Sequence, residues 1–151
     1  MTSYDEILDL ALVSIEDYRL NKISAESPVT FKLILEGFMI RGLSNFSNCI
    51  KDLSDRSDEN RMFNISLDDL EKSIIADWTV IMWLDKEIND TRQITSMLQN
   101  RNEAHRYSEA NNLRAKTDHR IQMVEDIKHK QSLYTLKHND WKGWASGNYE
   151  L

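Results

Sequence analysis

Hydrophobic residues are densest between Ser66 and Ile88, SLDDLEKSIIADWTVIMWLDKEI. Leu67, Leu70, Ile74, Trp78, Ile81, Leu84 and Ile88 recur there at steps of three and four, the spacing of a helix face and not of a strand. Ile75, Val80, Met82 and Trp83 widen the apolar arc until little of the second half of the helix can face water. Ser66 is the expected N-cap. Asp68, Asp69 and Glu71 follow in a first turn where the helix dipole favours negative charge. The segment reads as the central helix of a small all-α domain.

The flanking patterns are helical too. Ser3 and Glu6 match a capping box, opening a first helix to about Tyr18 with a broad apolar face of Ile7, Leu8, Leu10, Ala11, Val13, Ser14 and Ile15. Arg19–Ser27 reads as a loop. Ser27-Pro28 then starts a second helix, expected to run to about Leu53 through Phe31, Leu35, Met39, Leu43, Phe46 and Ile50. Gly37 and Gly42 each cost that helix about 1 kcal/mol against alanine, which favours close approach of a neighbouring helix over a bend. Ser54–Asn64 is a polar loop ending in Met62-Phe63, and Phe63 and Ile65 form a hydrophobic staple before the central helix.

After the central helix, Asn89-Asp90-Thr91 predicts a stop and restart, with a short helix through Ile94, Met97 and Leu98. Gln99–Arg106 is polar all round and predicts a turn or kink. A long last helix follows, with Tyr107, Ala110, Leu113, Thr117, Ile121, Val124, Ile127, Gln131 and Tyr134 on one narrow stripe. At roughly 30 residues it spans ~45 Å, more than a domain of this size needs, so part of it is expected to project. The fold class is thus all-α: a bundle of four to five helices over residues 1–136, then an extended C-terminal arm over 137–151.

Composition agrees with that class. Of 151 residues only four are glycine and one is proline, too few breakers for a sheet protein with tight turns. No apolar run reaches the ~18 residues of a membrane span, and the acidic N-terminus resembles no targeting peptide. The single cysteine, Cys49, excludes an internal disulfide and fits a reducing compartment. Residues 1–90 carry 18 acidic and 9 basic side chains, and residues 91–151 carry 7 and 10, so −9 and +3 make up the net −6. The acidic half argues against a dedicated nucleic-acid binder. An acidic front and a basic back also suit head-to-tail association of like subunits.

Candidate chemistry is sparse. His105, His119, His129 and His138 form no pair at the i, i+4 spacing of two ligands on one helix face, and Glu125 with His129 reads as a surface pair. The Ser54–Asn64 loop lacks the central glycine and terminal glutamate of a calcium loop. Cys49 has no motif around it. Asp77, inside the most apolar helix, is the one acid that stands out, either paired with Arg106 or Arg114 or placed at the one wet edge of the helix. With no phosphate loop and no nucleophile elbow, no catalytic residue, cofactor or metal is expected, and the chain does not read as an enzyme.

The tail, KHNDWKGWASGNYEL, is more informative. Trp141, Lys142, Trp144 and Tyr149 lie in a segment with no core of its own, and aromatic anchors are what binding hot spots are made of. The segment reads as an arm for a protein partner, gaining affinity by ordering on binding, with folding back over this domain as the alternative.

Three stretches then stand together: Leu8–Tyr18 (LDLALVSIEDY), Phe63–Thr91 (FNISLDDLEKSIIADWTVIMWLDKEINDT) and Arg106–Leu113 (RYSEANNL). In this order the chain resembles the helical head–tail connector, or adaptor, proteins of tailed bacteriophages. The resemblance implies a structural virion protein in the phage neck, made in the bacterial host cytoplasm. It implies a ring, about twelve-fold, docked under the portal protein through the Trp141–Tyr149 arm. The ring would extend the channel for DNA, which passes without specific binding, and would present a surface to downstream neck or tail proteins. The other reading of the same residues is a helical interaction or regulatory module that uses the aromatic arm on an unrelated partner.

Overall fold

The computed structural model describes residues 1–15, 27–97 and 103–139. Four α-helices lie among them: α1 (Tyr4–Ser14), α2 (Pro28–Gly42), α3 (Asp69–Met97) and α4 (Glu103–His138). The class is all-α, as the periodicity predicts. One small addition was not legible: Thr2–Ser3 (β1), Arg56–Ser57 (β2) and Met62–Phe63 (β3) form an antiparallel sheet in the order β1-β3-β2.

α1 starts as expected. The Ser3 hydroxyl accepts from the Asp5 amide, and the Glu6 carboxylate accepts from the Ser3 amide at 3.2 Å, completing the capping box. Ile7, Leu8 and Ala11 are buried. The sheet ties this start to the loop before α3: Tyr4 stacks edge-on against the buried Phe63 at 5.1 Å and donates its hydroxyl proton to Asp58 at 2.7 Å. Arg61 turns the β2–β3 connection with φ of 52°, a left-handed conformation that costs a non-glycine residue free energy. Its guanidinium offsets that by bonding Glu36 at 2.7 Å and Asp5 at 3.2 Å.

α2 is shorter than its apolar pattern predicts. It ends at Gly42, and Leu43–Asn45 form a single 3-10 turn. A Cβ on Gly42 would stand 3.2 Å from the Trp78 backbone, so this glycine lets α2 lie directly on α3. Gly37 differs, because nothing lies within 4 Å of its Cβ position. Close approach therefore explains Gly42 and not Gly37. Leu43 and Phe46 still enter the core, but Ile50 is 63% exposed.

α3 is the centre of the molecule, packed by α1, α2 and α4. Leu67, Ile74, Ile75, Val80, Ile81, Leu84 and Ile88 are buried, and Trp78, Met82 and Trp83 pack against the core in part. Its cap is Asp68, not Ser66. The Asp68 carboxylate accepts from the Glu71 amide at 2.8 Å, while the Glu71 carboxylate accepts from the Asp68 amide at 2.7 Å. Nor does α3 stop at Asn89-Asp90-Thr91. The Thr91 hydroxyl donates to the Glu87 carbonyl and Lys86 pairs with Asp90, so two local bonds carry the helix through residues of low propensity.

α4 runs antiparallel to α3, and its 36 residues span ~54 Å. It is backed by α3 and does not project alone. Only its C-terminal part reaches the core, through Ile127 and Tyr134. From Tyr107 to Asp126 no residue is buried, although Leu113, Thr117 and Val124 are partly covered. The predicted turn over Gln99–Arg106 is met by helix from Glu103 onward, and residues 98–102 lie outside the described residues. No helix among the described residues is long and apolar enough to cross a membrane.

Candidate functional site

The anchors expected from sequence, Trp141, Lys142, Trp144 and Tyr149, lie outside the described residues, which end at Asn139. What the structure does define is the base from which that segment departs. It is a polar knot where the end of α4 meets the start of α3 and the Asn45–Lys51 loop.

Glu71 is the centre of the knot. Its side chain is 0% exposed, yet it is charged, so every oxygen needs a partner. The Tyr134 hydroxyl donates to Oε1 at 2.8 Å. The Lys51 ammonium reaches Oε2 at 2.6 Å, and the Asp68 amide shares that oxygen. Lys51 also donates to the Ser66 carbonyl at 2.8 Å, closing the turn before α3. The Tyr134 oxygen in turn accepts from the Ile50 amide at 3.2 Å. Burial is the main reason the Tyr134 hydroxyl is pushed well above its ordinary value, and the adjoining Glu71 carboxylate adds to the effect.

Further bonds pin the same end of α4. Lys137 pairs with Asp68 at 2.9 Å, and Asn48 donates to the Thr135 hydroxyl at 2.8 Å and to the Gln131 carbonyl. The Gln131 side chain donates to the Asn45 carbonyl. Gln131 therefore holds a place on the inward stripe because it satisfies a loop carbonyl that an apolar side chain would leave bare. His138 packs its ring on Tyr134 at 4.4 Å.

Asp68, Glu71 and His138 place one ligand atom each within 4.8 Å of one another, a spacing that a metal ion would accept. All four carboxylate oxygens are already engaged, however, and Lys51 and Lys137 supply the positive charge. The knot satisfies itself, and its chemistry is that of a clamp. Cys49 sits beside it, 3.8 Å from the Tyr134 oxygen, with its thiol pushed up mainly by burial and so held less reactive.

Asp77 does not pair with Arg114, and the Arg106 side chain lies outside what the structure describes. The partner of Asp77 is Lys130, which also donates to the Ser73 hydroxyl. A shallow cleft of about 320 Å³ beside the pair adds Met123, Asp126 and His129, without a nucleophile next to a base. This pair is one rung of a ladder along the hairpin: Asp68–Lys137, Asp77–Lys130, Asp85–Arg120 and Glu87–Lys116. Four cations of α4 are thus met by three acids of α3 and its cap, Asp68, within one chain. The acidic front and basic back read from the charge count largely neutralise each other internally, which removes chain-wide charge asymmetry as a steering force between copies.

Exposed apolar side chains lie elsewhere, with Val13 on α1, Val29 and Leu33 on α2, Met97 and Tyr107 near the far end of the hairpin, and Leu133 and Leu136 on α4. Compared with protein-family models, characterised proteins and solved structures, the chain matches none of them.

Proposed function

We propose that this chain is a non-enzymatic structural protein, the subunit of a head–tail connector ring that docks under a phage portal through residues 140–151. The proposal rests on the resemblance of three sequence stretches and on one structural observation. The last turns of α4 are clamped to the rest of the protein by Tyr134–Glu71, Thr135–Asn48 and Lys137–Asp68. A segment carrying Trp141, Lys142, Trp144 and Tyr149 leaves from a fixed point, which lowers the ordering cost of docking it into a partner. The unburied face of α4 offers surface for neighbouring copies or for further neck proteins.

The test uses a phage portal protein. Deleting residues 140–151 should abolish co-sedimentation with portal while the helical circular dichroism and melting temperature stay unchanged. Portal binding at full strength by the truncated protein would refute the docking role of the arm. A chain that ignores portal and binds some other protein through the same residues would favour the interaction-module reading.

A further inference from the structure

A cleft of about 380 Å³ opens where the end of α2 meets the middle of α3 and α4, lined by Arg41, Asp85, Ile88, Arg92, Arg120 and Ile121 among others. Asp85 is taken up by Arg120. Arg41 and Arg92 are exposed and have no ion-pair partner among the described residues. Three guanidinium groups against one carboxylate leave a local excess of two positive charges in a chain of net −6. Unlike the ladder cations, this excess is not matched among the described residues. Ile88 and the half-exposed Ile121 give the same cleft an aliphatic wall.

That combination selects its ligand. Arginine binds carboxylates through paired N–H donors, and the isoleucines call for an aliphatic side chain next to the acid. A long polyanion fits less well, because Asp85 stands in the cleft and the remaining surface is acidic. The outer edge of α1 has the required chemistry. Its other acids are used internally, Asp5 by Lys32 and Arg61 and Glu6 by Lys72. Asp9 is exposed, has no described cation, and is followed on the same edge by Leu10 and by Val13, which is 84% exposed.

We propose that the Asp9–Val13 edge of one copy docks into the arginine cleft of the next. The two surfaces differ, so the contact is heterologous: it adds copies head to tail and closes into a ring when the rotation permits. The inference rests on the self-assembly part of the proposed function and names the surfaces that would carry it.

Charge exchange tests it with the full chain. Sedimentation velocity at low salt should show wild-type self-association. Arg41→Glu/Arg92→Glu and Asp9→Arg should each weaken it at least about tenfold. Both variants should keep wild-type helical circular dichroism, because none of these side chains has an ion pair among the described residues. An equimolar mixture of the two variants should associate again through two contacts, the unaltered Asp9 edge of the first in the unaltered cleft of the second and a charge-reversed one in the other direction. Wild-type association by both variants would overturn the cleft assignment and leave assembly standing, as would a mixture that stays apart. A wild-type chain that stays monomeric both free and on portal would overturn the assembly reading together with this one. Binding of a DNA duplex that is lost in Arg41→Glu/Arg92→Glu, with self-association unchanged, would reassign the cleft to nucleic acid.

Discussion

Tyr134, near the end of α4, donates its hydroxyl proton to Glu71 in the first turn of α3, a carboxylate closed off from solvent and 63 residues earlier in the chain. This one bond joins the two ends of the helical hairpin, because the Asp68 cap and the Lys51 clamp both work through the same carboxylate. Removing the hydroxyl leaves a buried oxygen of Glu71 short of a donor, and an unsatisfied buried group costs more than a typical bond contributes. Tyr134→Phe should therefore destabilise the fold by about 1–3 kcal/mol in urea unfolding. Glu71→Ala, which also strands Lys51, should cost more than Tyr134→Phe.

The two glycines of α2 predict opposite signs. Gly42→Ala pushes a methyl group against the Trp78 backbone at 3.2 Å, and should destabilise by about 1–3 kcal/mol. Gly37→Ala meets nothing within 4 Å and removes backbone freedom from the unfolded chain, so it should stabilise by about 0.5–1 kcal/mol. Thermal melts of the two single variants check both signs.

Ladder pairs hold the hairpin in register without contributing much stability. Asp77 and Lys130 keep 19% and 36% of their side-chain exposure, so solvent screens the pair. A double-mutant cycle with Asp77→Asn and Lys130→Met should give a coupling below about 1 kcal/mol at low salt, smaller still in 1 M sodium chloride. A catalytic Asp77 would instead show its substitution in a turnover rate, with stability little altered.

Two pH dependences follow from the hydrogen bonds of α1 and α4. The Lys32 ammonium, with Arg61 beyond it, holds the Asp5 carboxyl below the ordinary aspartate range. A depressed carboxyl contributes stability above its unfolded value near pH 4 and loses it as pH falls further. The melting temperature should therefore drop below about pH 4, and less steeply in Asp5→Asn. At the alkaline end the sign reverses. Burial raises the hydroxyls of Tyr4 and Tyr134 above the ordinary value near 10, so their contribution is complete below that pH and fades as pH rises through the folded value. In ultraviolet titration of the folded protein, Tyr4 and Tyr134 should remain protonated above the ordinary tyrosine value near 10.

Apolar spacing was enough to define the helical class, the central place of α3 and most of its buried face. Each of these depends on which residues share a helix side, a relation local to the chain. The Ser3–Glu6 capping box was legible for the same reason, since both partners lie within one turn. Tertiary contacts decided the rest. Gly42 lies against the Trp78 backbone of α3, and α3 passes Asn89 with Ile88 and Thr91 buried and Lys116 of α4 bonded to Glu87 and Thr91. Glu71 looked like a dipole-favoured surface acid until Tyr134 and Lys51 arrived from distant segments. Net charge by halves suggested a polar subunit, but most of that difference cancels across the hairpin, where only the antiparallel register of α3 and α4 pairs each acid with its cation. Sequence alone determined which faces are apolar. Only the packed structure decided which charges were left over, because pairing depends on distance in space and not along the chain.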